Sequence, residues 1–247
     1  MQPQSFPQDL AILKNYFSYL GHSAIILIAL CPYSSCYKSY TDTDLIKYYT
    51  ILHPGLIENF NQDEQDKAYH LKENPWKYAF VSMLKGLFVS VKRCLKIVLC
   101  GDNTEKQRMN DLQLEADAKK WIEGWKKQFR IDDMNVNELP EHLIKGREKR
   151  VAVLKEMLEF CKEHDFRPYI VLPPVTKWLS EKFSPVFRKN YIYSFLEECG
   201  VEKEQFLNYL DDSELSDKDL YFNSFFLNKK GAKIFTHRVL ADLGVRV

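Results

Sequence analysis

Hydrophobic residues along the chain fall into two patterns, one at helical spacing and one in short unbroken runs. Residues 7–20 place Leu, Ile, Tyr and Phe at helical spacing and end at Gly21, which predicts an amphipathic helix. Residues 24–30 are apolar without interruption and stop at Cys31-Pro32, which is typical of a parallel strand buried on both faces. A helix, a glycine and a buried strand in this order predict part of an α/β unit.

The last third of the chain returns to these patterns. Residues 168–174 and 206–210 are short apolar runs that predict a second and a third strand. We expect the first two strands, at 24–30 and 169–172, to be parallel and neighbouring or near-neighbouring, with both faces buried. Residues 182–200 and 229–243 predict helices, because a glycine ends each pattern. The acidic residues between 211 and 219, namely Asp211, Asp212, Asp217 and Asp219, are expected in a solvated loop.

Residues 41–164 differ from both ends, with many Lys, Glu and Gln residues and few β-branched clusters. They predict a long, mostly helical insertion, with helical segments at 43–52, 61–72, 76–100, 111–129 and 140–164. The expected fold class is therefore α/β, with a short parallel sheet and one domain over 1–247. Its sheet-forming parts are about 8–40 and 165–247.

Charge and cysteine content exclude several classes of protein. Thirty-five Lys and Arg residues against thirty-four Asp and Glu residues leave a formal charge of +1, which argues against nucleic acid as a partner. The six cysteines contain no C-x-x-C pair and the histidines no metal-like spacing, so reduced thiols and no metal are expected. No secretory leader is recognised in residues 1–18, and the longest apolar run is too short to cross a bilayer. A cytoplasmic or peripheral membrane location is expected.

Residues 76–100 support two interpretations. The charges from Lys77 to Lys96 are all positive and alternate with apolar and aromatic positions. A basic amphipathic helix of this kind can lie on a membrane surface. The alternative is a helix packed on its neighbours with solvated lysines.

Residues 219–236 hold the most specific pattern, D-L-Y-F-N-S-F-F-L-N-K-K-G-A-K-I-F-T. The segment resembles the last block of the SGNH (GDSL-like) hydrolases. It is most similar to the branch of D-alanyl-lipoteichoic-acid transfer proteins and polysaccharide O-acetyl enzymes, roughly D-x-x-H-L-N-x-x-G-A-x-x-[FY]-[TA]. Residues 23–37 and 167–175 resemble the family's second strand with its loop and a later strand. The resemblance implies a three-layer SGNH-like α/β fold with a short parallel sheet and a long helical insertion. The positions that match the last block as they stand are Leu227, Asn228, Gly231, Ala232, Phe235 and Thr236.

The resemblance assigns the family's catalytic aspartate and histidine to Asn223 and Phe226. In the family the histidine acts as base and the carboxylate steadies it, whereas phenylalanine accepts no proton. The family's Gly-Asp-Ser or Gly-Ser-Ser turn, which supplies the nucleophile, has no counterpart before Ala24. We therefore expect an N-terminally incomplete domain or one without a nucleophile. Ser34 and Ser35 follow the first strand and are weak substitutes, because no flanking glycine supports a tight turn.

Two functional hypotheses follow. The first is an SGNH-like esterase or acyltransferase-family protein, truncated or catalytically degenerate. It would act on acyl groups of envelope polysaccharide, with an acylated carbohydrate or small ester as ligand and no cofactor. The alternative is a non-catalytic binding or scaffold module with residues 76–100 as its docking helix. If the resemblance holds, Asn228 caps the last helix, residues 231–232 pack closely on the sheet, and Phe226 is buried beside the 32–37 loop.

Overall fold

The chain folds into two compact units in the computed structural model, which describes residues 6–36, 48–57, 60–73, 109–136 and 138–245. The first unit comprises residues 1–20 and 39–107, and the second comprises 21–38 and 108–247. The expected helix at 76–100 lies outside the described residues. The expected helix at 43–52 lies partly outside them, and its described part forms a turn at 48–51.

The described elements are mainly helical, with three short strands. Named in chain order, they are α1 (Phe6–Tyr16), β1 (Ile25–Ala29), α2 (Gln62–Glu73), α3 (Asp111–Phe129), α4 (Glu141–Glu163), β2 (Arg167–Leu172), α5 (Lys177–Ser180), α6 (Pro185–Phe187), a π-helix (Arg188–Tyr193), α7 (Ser194–Cys199), β3 (Phe206–Asn208) and α8 (Lys229–Asp242). Short 3-10 helices cover Phe17–Tyr19, Pro54–Leu56, Lys203–Gln205, Ser213–Leu215 and Lys218–Leu220.

The first unit is held by a small core and by one asparagine. The Asn15 carboxamide accepts a hydrogen bond from the His53 backbone N–H at 2.9 Å and donates one to the Ile51 carbonyl at 3.2 Å. These bonds fix the end of α1 against the turn that precedes Pro54–Leu56. The buried core of this unit consists of Ala11, Tyr48, Tyr49, Leu52, Ile57 and Ala68.

The second unit contains a three-stranded parallel sheet in the order β1-β2-β3, with Ile28 opposite Ile170 and Ile170 opposite Phe206. This confirms that the first two predicted strands are parallel neighbours. The prediction that both strands are buried on both faces is correct for the second half of β2 and wrong for β1. Leu27 is 47% exposed, because β1 is an edge strand of the described sheet and α8 covers Val171 next to it.

The helices α8 and α4 both pack on β2. Val171 lies in one buried group with Val239 of α8, Tyr209 and Leu220. The next residues on either side, Ile170 and Leu172, point to the other face and are fully buried. Alpha-helix α4 also contacts β2, and its side chains are buried at Leu154, Met157 and Cys161. The second unit is a mixed α/β structure in which α3 and α4 belong with the sheet.

The helix predicted over 182–200 is divided in the structure. It begins at Pro185, where the Ser184 hydroxyl accepts the Phe187 N–H, and it ends at Gly200 with φ +73°. Between these ends the backbone becomes a π-helix. The Arg147 guanidinium donates to the Asn190 carbonyl within this π-helix and also forms two hydrogen bonds with Glu198. A side chain from a distant helix therefore binds the widened turn.

The last helix begins as expected, with Asn228 as its N-cap: the side-chain oxygen accepts the Gly231 N–H at 3.0 Å. The expectation that residues 231–232 pack on the sheet is wrong for Gly231. A Cβ at this position would lie 2.1 Å from the Leu220 carbonyl oxygen, so the close contact is with the 218–220 turn. The expected loop at 211–219 contains two 3-10 turns, capped by Asp212 and Asp217.

Candidate functional site

A cavity of about 290 Å³ lies where the carboxyl ends of β1 and β2 meet. Open α/β sheets bind ligands at this edge, because the loops that follow neighbouring strands converge there. Three chain segments line the cavity, one after each of these strands and one before α8. The lining residues are Leu30, Cys31, Pro32, Pro173, Pro174, Val175, Phe225, Phe226 and Leu227. All are apolar apart from the thiol of Cys31, which is exposed.

The loop before α8 is held by Asn223. Its carboxamide oxygen accepts backbone N–H bonds from Phe225 at 3.0 Å and Phe226 at 2.7 Å. The Phe222 N–H then bonds to the Phe226 carbonyl at 2.8 Å. The position assigned to the family's aspartate thus serves as a turn residue, with its oxygen committed to the local backbone.

Phe226 lines the cavity together with Cys31 and Pro32, as expected from the resemblance. Its ring makes an edge contact with Trp121 at 5.7 Å and lies 4.8 Å from the Phe225 ring. The expectation that the ring is buried is wrong, since Phe226 is 48% exposed. The ring therefore lines the cavity while about half of the residue's surface is in contact with solvent.

A buried polar network ties this loop to the rest of the second unit. The Asp117 carboxylate of α3 accepts from the Ser224 N–H at 3.0 Å and from the Ser224 hydroxyl at 2.6 Å. The Ser224 carbonyl in turn accepts from the N–H and the hydroxyl of Thr176, at 3.1 and 2.9 Å. Ser224 and Thr176 are fully buried. Sequence reasoning missed Asp117 and Thr176, because an aspartate within a charged helix and a threonine after a strand carry no distinguishing pattern.

The two candidate serines lie in the turn after β1 and outside the lining of the cavity. The Ser34 hydroxyl accepts the Cys31 N–H at 2.8 Å and lies 3.4 Å from the Cys31 thiol. Ser35 is 3% exposed, and its hydroxyl makes no hydrogen bond of normal geometry, although the Cys36 thiol is close enough to interact with it. No histidine is among the residues that line the cavity, so neither serine has a base there.

Two other nucleophilic groups near β1, Cys36 and Tyr33, stay protonated at neutral pH. Burial raises the pKa of the Cys36 thiol to about 12. Burial also raises the pKa of Tyr33 far above its usual range, and its ring is enclosed by Trp125, Phe129 and Phe187. These groups pack the base of the 31–36 turn and offer no charged nucleophile.

Metal-ligand clusters and membrane spans are not found in the part of the chain that the structure describes. Within those residues, no three His, Cys, Asp or Glu side chains are grouped so that they could hold a metal ion. No helix there has a long enough apolar stretch to cross a bilayer.

Comparison with known proteins yields no match for this chain. No protein-family model, no curated protein and no solved structure matches it.

Proposed function

We propose that the chain is a non-catalytic α/β binding module of SGNH-like form that takes the apolar part of a small ligand into the cavity at the carboxyl edge of its sheet. The observation that supports this proposal is the apolar lining of that cavity. Ligand sites in α/β proteins favour this edge, and an apolar wall binds hydrocarbon by removing it from water.

The volume of the cavity limits the ligand. A cavity of about 150 Å³ with apolar walls accepts benzene, which has six carbons. By proportion, a cavity of about 290 Å³ accommodates roughly twelve carbons, the size of a medium acyl chain. Because no charged side chain lines it, a neutral chain is preferred to an ionised one.

Catalysis is disfavoured by the side chains around the cavity. The Asn223 carboxamide oxygen is bound to two backbone N–H groups, and Phe226 has no group that accepts a proton. The carboxylate that is bonded to this loop, Asp117, accepts two hydrogen bonds from Ser224. Among the residues that the structure describes, these commitments leave no general base beside the cavity, which supports binding without turnover.

Binding is tested with neutral alcohols as probes. We expect 1-octanol to bind saturably, measured by calorimetry and by the fluorescence of Trp121, whose ring contacts Phe226. Each buried methylene contributes about 0.8 kcal/mol, so 1-butanol should bind on the order of a hundredfold more weakly. Cys31→Phe fills the cavity and should abolish binding, whereas the matched Cys31→Ser variant should retain it. Non-saturable uptake of octanol, or equal binding by both variants, would overturn the proposal.

A second candidate function, an SGNH-like esterase or acyltransferase of the envelope-polysaccharide type, is favoured by one observation. Ser34 follows β1 at the same edge of the sheet and contacts Cys31, which lines the cavity. We expect the chain to hydrolyse p-nitrophenyl butyrate no faster than buffer. Hydrolysis that disappears in Ser34→Ala or Ser35→Ala would favour this second function. Activity gained by Asn223→Asp combined with Phe226→His would indicate a degenerate enzyme.

A further inference from the structure

The outer side of β1 carries backbone groups that are available for a further strand. Hydrogen bonds from Leu30 to Val171 and from Arg167 to Ala24 show that the even-numbered residues of this segment face β2. In a strand the direction of the backbone groups alternates, so Ile25, Leu27 and Ala29 direct their N–H and C=O groups away from β2. No strand among the described residues pairs with that side.

The side chains of these same residues border an apolar groove. It has a volume of about 190 Å³ and runs between β1 and α8, where Ala29 and Leu27 lie beside Val171 and Phe235. Leu27 and Ala29 are exposed, although their neighbour Val171 is buried. The small side chain of Ala29 leaves room for a larger apolar side chain from an added strand.

The sequence of this edge is free of the features that keep sheet edges apart. Natural edge strands carry lysines, prolines or bulges that block pairing with another chain. Residues 23–31 carry no charge and no proline, so nothing in them repels a second copy of the same segment. The β1 to β2 pairing is also regular, without a bulge.

We infer that two copies of this chain pair through β1 in an antiparallel arrangement whose two-fold axis passes beside Leu27. Leu27 then faces Leu27 of the other copy, and Ile25 faces Ala29. The three outward-facing residues of each copy donate and accept all of their hydrogen bonds across this axis. Ile25 of one copy fills the space beside Ala29 of the other. The two sheets become one continuous six-stranded sheet.

Site-specific disulfide formation tests the register in the full chain. In a Cys31→Ala background, Leu27→Cys should give a disulfide-linked dimer under mild oxidation, because strand partners that face each other have Cα atoms about 5.5 Å apart. Ala29→Cys is the matched control on the same face. Its two copies would lie about 14 Å apart along the strands, which is too far for a disulfide. A linked dimer from Ala29→Cys in place of Leu27→Cys would overturn the proposed register.

Sedimentation analysis tests the association itself. We expect a concentration-dependent dimer for the unmodified chain and a monomer for Leu27→Lys, which introduces facing positive charges at the axis. Leu112→Lys is the control, since Leu112 is more exposed than Leu27 and lies on α3. Circular dichroism shows whether each variant is folded. A monomer at the highest soluble concentration, or a dimer that Leu27→Lys leaves intact, would overturn the inference.

Discussion

Single residues decide how α8 is attached to the second unit. The Asn228 carboxamide accepts the Gly231 N–H at the start of the helix and donates to the Asp219 carbonyl at 2.8 Å. The Asn228 N–H also bonds to the Leu220 carbonyl, the same oxygen that approaches Gly231. One residue therefore joins the helix to the preceding turn, and the absence of a side chain at Gly231 allows that contact.

We expect Gly231→Ala to destabilise the chain by about 1–3 kcal/mol, because the new methyl group would overlap the Leu220 carbonyl oxygen and the Leu227 side chain. Gly124→Ala is the matched control. Gly124 also lies in a helix, and an added Cβ there meets nothing within 4 Å. It should stabilise the chain by up to about 1 kcal/mol through helix propensity. Urea unfolding measures both, and equal effects would contradict this account.

Predictions about single residues are correct where they rest on local backbone rules. The Asn228 cap and the glycine that follows α8 were predicted because a helix must satisfy its own terminal groups. Such a prediction failed for the exposure of Phe226, whose surroundings include the ring of Trp121, a residue far away in the sequence. The hydrogen bond between Asp117 and Ser224 could not be predicted from the sequence either, because its two partners are 107 positions apart.

The π-helix shows how an element can depend on a side chain from another helix. The buried Arg147 donates to the Asn190 carbonyl, the Ser194 hydroxyl and the Glu198 carboxylate, and its guanidinium lies 5.7 Å from the Phe195 ring. A π-helix is rare and occurs mostly as a single widened turn within an α-helix. The hydrophobic pattern of residues 182–200 contains no sign of Arg147, which explains why it predicted one regular helix.

We expect Arg147→Met to cost about 2 kcal/mol in the free energy of unfolding, because it removes the donors to Asn190 and Ser194 within this region. Glu198→Gln is the comparison variant and should cost less than about 1 kcal/mol, since Glu198 is half-exposed. Chemical denaturation followed by circular dichroism provides both values. An Arg147→Met variant as stable as the unmodified chain would show that the π-helix needs no support from α4.

The order of the strands was also beyond a pattern-based prediction. An unbroken apolar run is typical of a central strand, and residues 24–30 have that pattern. The structure places this run at an edge, with one face partly open. An apolar pattern predicts that a strand is buried. It does not predict which strand or helix covers it.

At the scale of the whole molecule, buried thiols couple stability to pH. Burial raises the pKa of Cys36 and Cys199 to about 12 and that of Cys161 to about 11. The unfolded chain loses these protons near pH 9, whereas the native chain keeps them. The stabilisation is therefore fully present below about pH 9 and is lost as the pH rises towards the native pKa values, by at most about 1.4 kcal/mol per pH unit and thiol.

We expect the free energy of unfolding, measured in urea under reducing conditions, to fall between pH 8.5 and about 11. Cys161→Ala should make this fall shallower, because it removes one buried thiol. Cys31→Ala, which removes an exposed thiol, is the matched control. Identical pH dependence in the two variants would argue against burial as the cause.

The spacing of paired strands along the chain has a kinetic consequence. Ile25 of β1 pairs with Arg167, 142 residues away, whereas Ile170 of β2 pairs with Phe206, 36 residues away. Closing the longer loop costs about 1 kcal/mol more in free energy, because more chain entropy is lost. Strand β1 is made first by the ribosome, yet it can find its partner only after α4 and β2 have emerged. During synthesis its uncharged segment stays exposed for the longest time, so a slowly translated or destabilised chain should aggregate through residues 24–30 before the sheet is complete.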